Sequence, residues 1–171
     1  MNLNNQITEN KILEILETIT DPEIPVLSLL DLGIVRYIRI NNDSRQPFIE
    51  IGITPTYSGC PAMHTIEWNI RTALLEQGYK HVSITTVLSP AWTTSWMSEA
   101  GKQKLIAYGI AAPQPMASVC HLDAFAKEEA IPCPRCNSYH THLLSQFGST
   151  ACKALYQCQD CQEPFDYFKC H

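Results

Sequence analysis

The stretch IPCPRCNSYHTHLLSQFGSTACKALYQCQDCQEPFDYFKCH, residues 131–171, contains two Cys-x-x-Cys pairs, Cys133-Pro134-Arg135-Cys136 and Cys158-Gln159-Asp160-Cys161. Each pair turns the chain so that two thiolates can reach one ion, and two pairs complete a tetrahedral four-sulfur site. The 21 residues between the pairs sit just beyond the roughly 15–20 usual for zinc ribbons, a difference that a hairpin absorbs. Cys133, Cys136, Cys158 and Cys161 are therefore expected to hold a structural zinc. Such a site is closed to substrate and water, so the ribbon should fold only with its metal. An all-thiolate tetrahedron also accepts iron, which leaves a rubredoxin-like occupant as the alternative. The residue after the second cysteine of a knuckle often needs positive φ, and Asn137 is a residue type that tolerates it.

Composition points to a chain that works among reduced thiols. The start, Met1-Asn2-Leu3-Asn4-Asn5-Gln6, has no basic-then-apolar leader, and no apolar run approaches the ~20 residues needed to span a bilayer. A cytoplasmic protein without a membrane role is expected, with cysteines as ligands or reactive groups rather than disulfides. Net charge is −5, with 8 basic and 11 acidic residues in 1–112 and 4 and 6 in 113–171. Neither part offers the basic face that phosphate binding requires, so the partner is expected to be a protein and not nucleic acid.

Upstream of the ribbon, Ile12, Ile15, Leu16 and Ile19 recur at helical spacing over 9–19. Asp21-Pro22 closes that helix, because the residue before a proline leaves the α region. Residues 21–33 (DPEIPVLSLLDLG) read as an unusually apolar loop that packs over a core or lines a site. Residues 34–40 and 48–54 read as paired strands. In the second of these, Ile49, Ile51 and Ile53 alternate with Glu50 and Gly52. A helix over 61–77 has Met63, Ile66, Ile70, Ala73 and Leu74 inward, with Gly78 as its stop. A third strand over 82–88 places Val82, Ile84 and Leu88 on one face, and a third helix spans roughly 95–108. This order predicts an α+β fold, a three-stranded sheet with helices in a domain over 1–112, then a linker over 113–130 and the ribbon over 131–171.

The loop Thr54-Pro55-Thr56-Tyr57-Ser58-Gly59-Cys60-Pro61 carries the second constellation. Proline suits the first helical position, which puts Cys60 at the N-cap, facing unpaired N–H groups and the positive end of the helix dipole. That placement predicts a Cys60 more acidic than a free cysteine. His64 lies one turn below. Asp21, Glu23 and Asp31 are the other candidates, as ligands for iron or as turn and cap residues. No Cys/His/Asp set of a thiol enzyme is apparent, so no catalytic residue is assigned. Trp92 either reaches the Cys60 loop or fills the core. Cys152 and Cys170 exceed the four ligands of one zinc: they belong to the ribbon core, or form a second thiol site with His171, or one of them replaces a Cys-x-x-Cys cysteine as ligand. Cys120 fits no motif. His140 and His142 share one face of a strand and are expected to face solvent.

Residues 21–35 and 54–61 together resemble the SufT-like iron–sulfur assembly domain. The ribbon, with Phe147-Gly148-Ser149-Thr150-Ala151-Cys152-Lys153 and the ending Phe165-Asp166-Tyr167-Phe168-Lys169-Cys170, is similar to the PaaD family. PaaD-like proteins are accessory proteins of bacterial phenylacetyl-CoA epoxidase systems. The resemblance implies a NifU-like α/β arrangement and a role in aerobic phenylacetate degradation. That role is to help deliver an iron–sulfur cluster or iron to the epoxidase/reductase complex, without performing the epoxidation. It also implies that Cys60 is the key residue, in transient contact with iron or a cluster. The partners implied are the reductase or the di-iron oxygenase, and possible assembly factors. A homodimer would bring two Cys60 sulfurs together. The alternative is a structural, non-catalytic component that docks the oxygenase to its reductase.

Overall fold

The computed structural model describes residues 7–42, 47–113 and 131–169. Cys120, Cys170, His171 and most of the expected linker lie outside the described residues. The chain divides into two compact units, Met1–Trp92 and Thr93–His171.

The first unit contains α1 (Glu9–Glu17), β1 (Val35–Asn41), β2 (Phe48–Ile53), α2 (Ala62–Glu76) and β3 (His81–Thr86). The sheet order is β1-β2-β3, with β1 antiparallel and β3 parallel to β2. Parallel neighbours need a crossover, and α2 supplies it. Both helices touch each other, α1 touches β1 and α2 touches β3, so they cover one face of the sheet. The central strand buries Ile49, Ile51 and Ile53 against them, and Ile12, Leu16, Ile66, Ile70 and Leu74 meet these from above. Each fully buried side chain of this size contributes about 1.5–3 kcal/mol. Met63 and Ala73 of the expected inward set are half-buried. Leu88 departs from expectation: β3 ends at Thr86, and Leu88 is 68% exposed beyond it.

On the other face of the sheet the Tyr37 ring lies across Gly52, its cross-strand neighbour. The ring is held there by its hydroxyl, which donates to Glu50 Oε1 at 2.8 Å, and by the Arg39 guanidinium 4.4 Å from its centroid. A Cβ at position 52 would run into that ring. Gly52→Val is therefore expected to expel Tyr37 and cost about 1–3 kcal/mol, read as a lower denaturant midpoint at unchanged m-value.

The apolar loop between α1 and β1 packs as expected, with Ile24, Leu27, Leu29, Leu32 and Ile34 buried. Trp92 belongs to the core: it is 3% exposed and its Nε1 donates to Leu32 O at 2.9 Å.

The second unit begins with a short 3-10 turn, Thr94–Trp96, and α3 (Glu99–Tyr108). Ser98 caps α3 by accepting from Gly101 N–H at 2.8 Å, and Gly109 ends it at φ 93°. The chain then forms β4 (Ile110–Ala111), and after residue 131 β5 (Thr141–Ser145), β6 (Lys153–Cys158) and β7 (Pro164–Phe168). The sheet order is β4-β7-β6-β5. The expected ribbon is thus completed by a fourth strand, β4, parallel to β7. Its core gathers Ala111, Ile131, Cys133, Ala154, Cys158, Phe165 and Tyr167. The Tyr156 ring stacks on Phe165 at 6.0 Å and meets Tyr167 edge-on at 5.7 Å.

Candidate metal centre and cysteine loop

The antiparallel β5/β6 and β6/β7 pairs bring the two knuckles together. The four sulfurs of Cys133, Cys136, Cys158 and Cys161 lie within 4.8 Å of one another. Cys133 and Cys161 Sγ are 3.7 Å apart, and Cys136 and Cys158 Sγ are 3.6 Å apart. A tetrahedral ion with Zn–S bonds of about 2.3 Å sets its sulfurs about 3.8 Å apart, whereas a disulfide would bring them to about 2.05 Å. The donor set and spacing therefore fit zinc and not disulfides. Asn137 and Gln162, the residues after each second cysteine, have φ of 60° and 61°. The knuckles thus share one backbone device, of which only the Asn137 half was expected. These turns aim N–H groups at sulfur: those of Ser138 and Glu163 at Cys136 and Cys161, and those of Cys161 and Asp160 at Cys158. The Cys161 N–H, then that of Asp160, together with the neighbouring thiols, brings Cys158 down to about 7 against its burial. Two polar clasps cross the knuckles, Arg135 with Glu163, and Asp160 with Ser138 and His140. His140 is exposed as expected, but His142 Nδ1 is buried and has no hydrogen-bond partner among the described residues, which corrects its solvent-facing assignment. Cys152 is buried, with the Thr150 hydroxyl 3.0 Å from its sulfur, as the ribbon-core reading expects.

Zinc ligation requires each thiol to release its proton, so metal retention should depend on pH. Zinc is expected to stay bound at neutral pH and to be lost on acidification, with loss of β-sheet circular dichroism. A metal indicator that detects no release on acidification would contradict the site.

In the first unit the topology gathers the other candidates. Ile53 at the end of β2 pairs with Val35 at the start of β1 and with Thr86 at the end of β3. Thr54 N–H donates to Ile34 O at 2.9 Å, and Val87 N–H to Ile53 O at 2.7 Å. One end of the sheet thus holds the Cys60 loop, the start of α2 and the end of the loop that carries Asp21, Glu23 and Asp31. Asp21 is buried and its Oδ1 accepts from Glu23 and Ile24 N–H, each at 2.8 Å. Asp31 is buried as well, its Oδ2 accepting from Ser28 N–H at 3.2 Å, while its own N–H donates to Ser28 Oγ at 3.0 Å. Both aspartates shape the loop.

Cys60 is half-buried, and Pro61, not Cys60, is the N-cap of α2. Gly59, at φ 83°, makes the sharp entry that this placement needs. The expected acidic thiol is corrected. Burial pushes the Cys60 thiol up, the Ala62 N–H pulls it down, and the negative charges of Glu23 and Asp21 raise it against a hydrogen bond from Tyr57, for a net rise. The sequence reading credited the helix start but not the desolvation or the two carboxylates. The same carboxylates that disfavour a thiolate favour a cation beside the sulfur. Glu23→Gln is expected to lower the thiol pKa and Tyr57→Phe to raise it, read from the pH dependence of iodoacetamide alkylation. Unchanged profiles would remove both groups from the site.

The chain thus joins a β-α-β unit that carries the Cys60 loop to a ribbon with a four-cysteine cluster. Residues 9–85 match the family described as iron-sulfur cluster assembly protein, and residues 118–169 match the PaaD zinc beta ribbon domain. The chain is 47% identical over 161 residues to an Escherichia coli (strain K12) protein provisionally described as a component of 1,2-phenylacetyl-CoA epoxidase, covering 94% of this chain and 92% of that one. It is 33% identical over 106 residues to a Porphyromonas gingivalis Fe-S protein maturation auxiliary factor, covering 60% of this chain and 97% of that one. The crystal structure of a domain of unknown function, DUF59, from Bacillus anthracis superposes with a TM-score of 0.52 at 26% identity, covering 57% of this chain and 90% of that one. The chain belongs to the PaaD family.

Among the described residues no helix is long and apolar enough to cross a membrane.

Proposed function

We propose that this protein is a non-catalytic maturation factor of a phenylacetyl-CoA epoxidase system. In this reading Cys60 makes a transient contact with iron or an iron–sulfur cluster as cargo, and the ribbon docks the client. The observation that carries it is the joining, at one end of one sheet, of a half-buried thiol with the charges of Glu23 and Asp21. Such a site holds the sulfur protonated until a cation arrives. It then exchanges that proton for the metal and, when the proton returns, lets the metal go. Cys60 is the only cysteine of residues 1–92, too few for a stable cluster cage, so the remaining ligands come from a client, an assembly factor or a second copy. Asp31 supports the loop, and Asp21 and Glu23 attract the cargo.

The test is maturation of the iron–sulfur client of the epoxidase system in an anaerobic mixture of ferrous iron and sulfide, with this protein at one tenth of the client concentration. The reading expects several clients matured per chain and none above background with Cys60→Ser. A need for stoichiometric protein, with stable co-purification, would favour the structural docking role instead.

A further inference from the structure

An open groove of about 470 Å³ runs along α1, lined by Asn10, Leu13, Glu14, Glu17 and Leu30. Its floor is apolar, from Leu13 and Leu30. The carboxylates on its rim, Glu14 and Glu17, lie three residues apart, and with Asn10 and Leu13 they form one helical face. No cation lines it among the described residues. We infer that this groove docks a cationic amphipathic segment of a partner protein, its aliphatic side chains on Leu13 and Leu30 and its lysines or arginines on Glu14 and Glu17.

Charge selects this occupant over a second copy. Residues 1–92 carry 6 basic and 10 acidic side chains, so two such units repel each other, whereas a basic segment is drawn in. The groove is also tied to the cysteine loop. Glu17 Oε2 accepts from Ser28 Oγ at 3.0 Å, and Ser28 in turn is bonded to Asp31. This chain leads into the segment that places Asp21 and Glu23. A guanidinium or ammonium on Glu17 competes with the Ser28 hydroxyl, so a docked partner acts on the segment that faces Cys60. The docking itself does not depend on any role of Cys60.

The test uses the full chain and three synthetic 14-residue peptides: leucine and lysine at helical spacing, the same with glutamate for lysine, and the same with serine for leucine. Binding is followed by calorimetry and by methyl NMR at about 0.15 M salt. The leucine–lysine peptide is expected to bind and to shift the Leu13 and Leu30 methyls. Binding should fall at least fivefold with Glu14→Lys and at least fivefold with Leu13→Ser, both checked for fold by circular dichroism. Glu14 is exposed, so its variant keeps the fold even where Leu13→Ser loosens α1. The other two peptides should bind at least tenfold more weakly. Equal binding by the leucine–glutamate peptide, an unchanged affinity for Glu14→Lys, no binding of the leucine–lysine peptide, or shifts only at other methyls would overturn the proposal.

Discussion

Cys158→Ser is expected to release the metal and unfold the sheet of the second unit. Cys158 is buried with no measurable exposure, at the end of the central strand β6, and its sulfur is 3.6 Å from that of Cys136. Serine at that point is a poor zinc ligand and leaves a polar hydroxyl in the apolar cluster of Phe165, Tyr167 and Ala154. Structural zinc supplies roughly 10–16 kcal/mol of apparent binding free energy at neutral pH, and that free energy is folding free energy. Losing a large part of it is comparable with the ~5–15 kcal/mol by which ordinary domains are stable. The first unit has its own core, to which none of these four cysteines belongs, so it should survive. Thermal unfolding should show one transition retained and one lost, with zinc below stoichiometry. Chelation of the wild type should give the same result. A Cys158→Ser protein with full zinc and both transitions would show that the metal is not held by this set.

The second large effect is functional and leaves the fold untouched. Cys60→Ser removes the half-buried sulfur while keeping the size and the hydrogen-bond capacity that the Ala62 N–H and Tyr57 use. Stability should change by less than about 1 kcal/mol, since no buried cluster is emptied. Iron transfer should fall to background, because a serine hydroxyl is a hard, weakly acidic donor where soft thiolate ligation is required. The contrast separates the four-cysteine site from the proposed cargo contact: one variant is expected to lose structure and zinc, the other only cargo. A Cys60→Ser protein that still supports full client maturation would remove Cys60 from the mechanism.

Much of this was legible in the sequence because it lies in spacing and period. The Cys-x-x-Cys pairs named their own ligands. The Ile12/Leu16 and Ile66/Ile70/Leu74 stripes named the buried faces of α1 and α2. The alternation of Ile49, Ile51 and Ile53 named the core face of β2. What the sequence did not disclose depends on distances through space. β4 is only two residues long, below the length at which alternation can be read, yet it joins the second-unit sheet through β7. The Cys60 thiol was read from its neighbour in the chain, the start of α2, while its titration follows from burial and from Glu23 and Asp21, some forty residues earlier. His142 shares a strand face with His140 in the pattern, but its Nδ1 is enclosed. The Gln162 turn could have been found by applying the Asn137 argument to the second knuckle.

The decisive measurement mixes wild-type or Cys60→Ser protein anaerobically with the iron–sulfur client, ferrous iron and sulfide, and then reads zinc per chain and iron and sulfide per client. One zinc per chain is expected in both proteins, with iron and sulfide in the client only where the wild type is present. Equal iron and sulfide in the client with both proteins, or none with either, would contradict a Cys60-dependent cargo site.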